Sequence, residues 1–174
     1  MGFIIKVVAI IERRPAMFRK LAKKNKAITE EACIELLKTQ KRGVLSVLGD
    51  DDYPYGMPLN HYYDEESGKI YFHSGNYGHR KDAVNKHDKV SFCVISDPKP
   101  VEGFWGLDLQ SVIVFGRMKV ITDMDVIKDI SRKLCYKFTQ DEKWIEEEIA
   151  ADAKATIILE LTPEHMCGKF VNES

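Results

Sequence analysis

Between Gly43 and Leu161 the chain is cut into short β-prone runs divided by turn signals, with helical patterns mostly at the margins. Val44–Leu48 is the first run, closed by the turn Gly49-Asp50-Asp51-Asp52. A second covers 55–63 and carries Pro58, which cannot donate to a ladder and so marks an edge or an irregularity. The turn 64–68 leads to a third run at 69–73, and others follow at 90–95, 111–121 and 155–161. Gly116 is placed to bend or bulge the fifth, Pro163 to end the sixth, and 164–170 to add a short strand. Many short strands joined by hairpin turns predict a closed antiparallel barrel.

The helices are read from caps and spacing. Thr29 is placed as an N-cap, Glu30 and Glu31 follow in the first turn, and Cys33, Leu36 and Leu37 recur on one face up to about 41–43. A short helix is expected over 80–85. Thr122-x-x-Asp125 reads as a capping box for a helix that buries Ile127, Ile130, Leu134 and Phe138, and Thr139-x-x-Glu142 opens another, with Trp144 packing it on the barrel.

Bulk properties exclude more than they select. In 174 residues, 26 Lys and Arg against 27 Asp and Glu leave a formal charge of -1, so no global attraction draws the chain to nucleic acid or acidic lipid. Cys33, Cys93, Cys135 and Cys167 form no Cys-x-x-Cys pair and read as reduced cytosolic thiols, with Cys93 in a core strand. The apolar start at residues 2–11 is too short to span a membrane, is interrupted by Lys6 and lacks a basic region before it. Residues 1–16 are either an extension upstream of Met17 or an extra element on the barrel. Residues 17–174 form the one expected domain. Nucleophile elbow, dinucleotide fingerprint, phosphate-loop Gly-Lys-Ser/Thr and metal-ligand histidine spacing are all missing from the sequence.

Two segments carry candidate chemistry. Residues 70–83 run from a strand through the glycine-containing loop Ser74-Gly75-Asn76-Tyr77-Gly78 into a basic helix start, His79-Arg80-Lys81. Loop amides, the helix N-terminus, a forked guanidinium and a hydroxyl suit a phosphate. The alternative is a solvated surface pair. In residues 53–63, Pro58 disturbs pairing and leaves backbone donors and acceptors free for a ligand edge, unless the tyrosines are barrel filler. Trp105 sits in a glycine-flanked loop, either as a pocket lid or as ordinary packing.

These segments resemble a known family. Gly43–Asn60, Lys69–Ser74 with Gly78-His79-Arg80-Lys81-Asp82, Lys89–Ile95, Ser111–Gly116 and Glu164-His165-Met166-x-Gly168-Lys169 follow one another over about residues 17 to 170. Together they are similar to the pyridoxamine 5'-phosphate oxidase-like FMN-binding split-barrel superfamily, and within it to the nitroimidazole-resistance branch. The resemblance implies a mainly β fold with flanking helices, a six-stranded antiparallel FMN-binding split barrel of Greek-key type, and a cytoplasmic homodimer with FMN between subunits.

By the same analogy, Gly56, Met57, Pro58, Leu59, Asn60 and His61 line the flavin ring through backbone contacts. His73 and Ser74 lie beside the ring and ribityl chain, while His79, Arg80 and Lys81 belong to the phosphate end and Ser111 reaches the cofactor with a polar side chain. Gln110 stands where the branch often has arginine, and the C-terminus lacks the arginine-histidine motif of true pyridoxamine-phosphate oxidases, which argues against vitamin synthesis. The implied activity is an FMN-dependent reductase that takes electrons from a reduced nicotinamide or a redox protein and passes them to a small, nitro-aromatic type of acceptor. His73 is the candidate proton donor. A flavin-binding module without turnover, and a barrel holding haem or a deazaflavin, are the alternatives.

Overall fold

Alternating burial lays out the sheet. The structure, a computed structural model, describes residues 18–172; the readings for residues 1–16 and Met17 lie outside them. The strands are β1 Arg42–Leu48, β2 Pro54–Asn60, β3 Tyr62–Asp64, β4 Lys69–Gly75, β5 Lys89–Ile95, β6 Lys99–Pro100, β7 Leu107–Ile121 and β8 Thr156–Asn172. They form one antiparallel sheet in the order β2-β1-β5-β7-β8-β4-β3, with β6 added to β7. Among the described residues four α-helices flank it: α1 Glu30–Thr39, α2 His79–Lys86, α3 Met124–Cys135 and α4 Glu142–Asp152. This is a mainly antiparallel split barrel with flanking helices.

The expected count of six strands becomes eight among the described residues. The second run breaks at His61 into β2, which pairs with β1, and β3, which pairs with β4. The pair Lys99–Pro100 adds β6. At the other end Pro163 does not stop a strand. The register shifts at Phe115/Gly116, so His165 faces Phe115 while Pro163 faces Gly116, and β8 runs on to Asn172. The bulge absorbs the missing N–H. Gly116 is required there, because a Cβ would collide with the Thr162 carbonyl oxygen.

Two helix starts also move by a residue or two. Thr29 caps α1 as read, accepting from the Ala32 amide at 3.2 Å. The cap of α3, however, is Asp123, whose carboxylate takes the Asp125 and Val126 amides at 3.0 Å each, and that of α4 is Asp141. A carboxylate one turn before free amides outcompetes the neighbouring threonine hydroxyl. Phe138 falls beyond α3, and Trp144 is 46% exposed, so neither packs as expected. Cys93 lies on β5 but only half-buried, facing out of the barrel.

The barrel interior holds Leu45, Ile70, Phe72, Phe92, Val94, Val112, Val114, Leu159 and Leu161, closed at one end by Cys33, Leu36 and Leu37 of α1. A second core lies outside β4 and β8, where Tyr71 and Ile158 meet Ile127 and Ile130 of α3 and Ile145 and Ile149 of α4. The first half of β8 is therefore buried on both faces.

His61, at the β2–β3 break, is fully buried. Its Nε2–H donates to the Leu37 carbonyl at 2.8 Å, its Nδ1 has no partner among the described residues, and its ring meets Phe92 edge-on at 4.9 Å. The tautomer follows from the carbonyl, which can only accept. Burial, with the Lys137 ammonium 3.4 Å from the same carbonyl, drives its pKa down to about 3. The folded state thus holds fewer protons than the unfolded one between about pH 3 and 6.5, and stability must fall as pH falls through that window. Between pH 6.5 and 5 the wild type should lose about 2 kcal/mol more than His61→Gln. Urea denaturation at the two pH values measures this, and identical losses would show that His61 does not set acid sensitivity.

Candidate functional site

No ladder joins β2 to β4, and a cleft opens at this split in the barrel. It measures about 350 Å³ and is lined by Arg42, Pro58, Leu59, Asn60, His73 and Arg80. β2 is an edge strand, which is why Pro58 is tolerated at its middle. The β1–β2 register sets Arg42 opposite Asn60, and the Arg42 Nε–H donates to the Asn60 side-chain oxygen at 3.0 Å.

Alternation along β4 sends neighbours in opposite directions. Phe72 and Ser74 are buried toward the barrel, whereas Tyr71 and His73 face the α3–α4 side. His73 is open to solvent at its surface, yet it stands in a concavity. Desolvation there and the nearby Arg80 guanidinium lower its pKa, in that order, and favour neutral imidazole.

The loop after β4 turns at Gly78, whose φ of +105° is a conformation that suits glycine. α2 starts there without a side-chain cap, which leaves its first-turn amides available. Arg80 is held from two sides. Its Nη1 donates to Ser74 Oγ at 3.3 Å and its Nε to Met57 Sδ at 3.1 Å. Neither Arg80 nor Arg42 has an ion-pair partner among the described residues, and no carboxylate lines the cleft. Two unneutralised guanidiniums at one opening make a place for an anion.

The structure brings Pro58, Leu59, Asn60, His73 and Arg80 to one cleft, with Met57 and Ser74 supporting the arginine. The remaining sequence candidates lie elsewhere. Gly56 sits farther along β2 opposite Ser46, and the His61 side chain is in the core. His79 stacks on Tyr55 at 4.4 Å and lies 3.5 Å from the Asp50 carboxylate. The Lys81 ammonium donates to the Asn76 carbonyl at 2.8 Å, tying down the loop. Ser111 pairs with Ile95 and Lys169 on the outer face of the sheet. Among the described residues no cluster of His, Cys, Asp and Glu could hold a metal ion, and no helix is long and apolar enough to cross a membrane.

The sequence model of the pyridoxamine 5'-phosphate oxidase family matches residues 29–170. The chain belongs to that family. No curated protein matches it by sequence. Solved structures share the fold at low identity. A candidate 5-nitroimidazole antibiotic resistance protein from Bacteroides thetaiotaomicron superposes with a TM-score of 0.71 at 16% identity, over 84% of this chain and 87% of that one. A conserved hypothetical protein from Mycobacterium tuberculosis gives 0.72 at 11%, over 86% and 90%. A FAD-binding protein from Mesorhizobium loti gives 0.59 at 18%, over 84% and 97%.

Within this pyridoxamine 5'-phosphate oxidase family member, sequence reasoning passed over Arg42, reading it as the end of a helix. The signal was present in the hairpin. Counting back from the 49–52 turn pairs residue 42 with residue 60, which puts a guanidinium beside the segment already singled out.

Proposed function

We propose that the protein binds FMN at the barrel split and reduces a small aromatic acceptor, working as a homodimer. The observation that carries this is the pair of guanidiniums, Arg42 and Arg80, without ion-pair partners among the described residues and set around His73 in the split. Family membership and a FAD-binding structural neighbour support a flavin, and the 5-nitroimidazole-resistance neighbour is the reason to name a nitro-aromatic type of acceptor. When bound, the flavin supplies two-electron chemistry, fed by a reduced nicotinamide or a redox protein. The chain's own groups do the rest. Arg80, braced by Ser74 and Met57, holds the phosphate with the α2 amides. Backbone groups of Pro58, Leu59 and Asn60 face the ring, and His73 holds a proton beside it.

The dimer is supported by the outer sheet face. Val44, Ile95 and Ile113 are 42%, 52% and 36% exposed there, with half-buried Cys93 between Val44 and Ile113 and half-buried Cys167 beside Ile113. Apolar surface of this kind favours burial against a second copy. Ser111 shares that face and would meet a cofactor only across such an interface. Sedimentation should give a dimer, and a monomer with flavin bound would remove this part.

FMN titration followed by the visible spectrum tests the cofactor. Arg80→Ala should weaken FMN binding roughly 10- to 150-fold, the loss of about 1.5–3 kcal/mol for a charge-assisted bond, and should leave riboflavin nearly untouched. Lys81→Ala should do less, because its ammonium is engaged by the loop. Wild-type protein that binds no FMN overturns the reading. Equal losses for both ligands would reduce Arg80 to a structural role.

A further inference from the structure

His73 and Asn60 border a second chamber that the cofactor reading leaves unused. It lies between the barrel and the α3–α4 pair, measures about 390 Å³ and is mostly apolar, with Leu134, Phe138, Trp144 and Ile149 in its walls. That volume is near the lower end for small-molecule pockets, which run from roughly 300 to 1,000 Å³. Leu134 and Ile149 are buried and form a fixed floor, whereas Phe138 and Trp144 are 42% and 46% exposed and offer open aromatic faces.

The charged side chains in the lining of this chamber are both acidic, with the Lys41 ammonium over the Phe138 ring at its margin. Glu148 and Asp152, one turn apart on α4, both line it, and neither has an ion-pair partner among the described residues. Among the described residues the lining contains no lysine or arginine, and its histidine is held toward the neutral form. The Lys41 ammonium already lies 5.2 Å from the centroid of the Phe138 ring, so that ring accepts a cation. The chamber is therefore negative and aromatic, while the cleft on the other side of His73 is positive.

We propose that this chamber is the acceptor site and that it selects flat aromatic rings carrying a positive charge over those carrying a negative one. The proposal rests on the reductase reading for the word acceptor, but the charge preference stands on this chamber alone. Stacking on Trp144 and Phe138 would favour a planar ring, and the Glu148 and Asp152 carboxylates would attract a cation and repel a carboxylate. The split at His73 would thus sort ligands by charge, with the anionic phosphate on the arginine side and the acceptor on the carboxylate side.

Three ligands of one ring size test this: 1-methylnicotinamide as the cation, nicotinamide as the neutral form and nicotinate as the anion. Binding is read by ligand-observed NMR titration and by Trp144 emission in a Trp105→Phe background. The cation should bind at least about tenfold more tightly than the anion, with the neutral ring between them. Glu148→Gln combined with Asp152→Asn should shrink that ratio to below about twofold while leaving neutral binding unchanged, since both side chains are exposed and carry no packing. Arg80→Ala should weaken FMN binding and keep the ring preference, so the failure of either reading is visible without the other. Equal affinities for the three rings, a preference for the anion, no saturable binding of any ring, or a preference that survives the double substitution would each overturn the proposal.

Discussion

His73→Ala is expected to keep FMN and the dimer while acceptor reduction slows by roughly 10²–10⁴-fold, the range for a positioned acid. The expectation rests on position. β4 directs His73 away from the barrel interior and into the concavity shared by the arginine-lined cleft and the α3–α4 chamber. Its imidazole can either stack on an aromatic acceptor or deliver a proton to it. His73→Phe separates the two, because a phenyl ring stacks but carries no proton.

A slow His73→Phe enzyme that still binds acceptor supports the acid. One as fast as wild type leaves His73 with stacking only. The pH profile gives an independent reading. Desolvation and Arg80 hold the imidazole toward its neutral form, so the protonated acid is scarce at neutral pH. If His73 delivers the proton, turnover should climb as pH falls below 6.5, and Arg80→Ala should shift that rise to higher pH. A flat profile would assign the proton to solvent.

Phe92→Ala should remove about 3–5 kcal/mol of folding stability, a third or more of what many domains possess. Phe92 is fully buried on β5 and meets Phe72 of β4 edge-on at 4.9 Å across the barrel interior. The same ring borders His61 and lies against Gly43, where no Cβ could be accommodated. Deleting it opens a cavity walled by β1, β4 and β5 that these rigid neighbours cannot collapse to fill. Phe92→Leu keeps most of the volume and should lose much less. Urea denaturation should show an unchanged slope with a lowered midpoint. A loss below about 1 kcal/mol would mean that the barrel repacks freely, contrary to the close approach at Gly43.

Sequence and structure agree best where a residue acts on its immediate neighbours. Thr29 caps α1 because a hydroxyl three residues before a free amide needs nothing else. The order strand, glycine loop, basic helix at 69–86 was readable for the same reason, since Gly78 and the uncapped start of α2 are local features. Local signals failed where ladders competed with them. Pro163 reads as a stop, but partners on β7 continue past it and a bulge removes the penalty. Nothing in the sequence shows where the His61 side chain goes: the break between β2 and β3 turns its ring under α1, while the expectation for this residue concerned its backbone.

The sequence by itself determined the antiparallel β class and the identity of the residues flanking Pro58 and the loop after β4. Period-two alternation fixes which side chains share a face, but it is silent on which strand lies alongside. Only the tertiary structure decided that β2 and β4 would face each other across an unpaired seam, that Arg42 would join Arg80 there, and that His73 would open toward α3 and α4. Those juxtapositions join residues as far apart as 60 and 156. They arise from closing the barrel around Phe72 and Phe92, a long-range packing choice that no local pattern encodes.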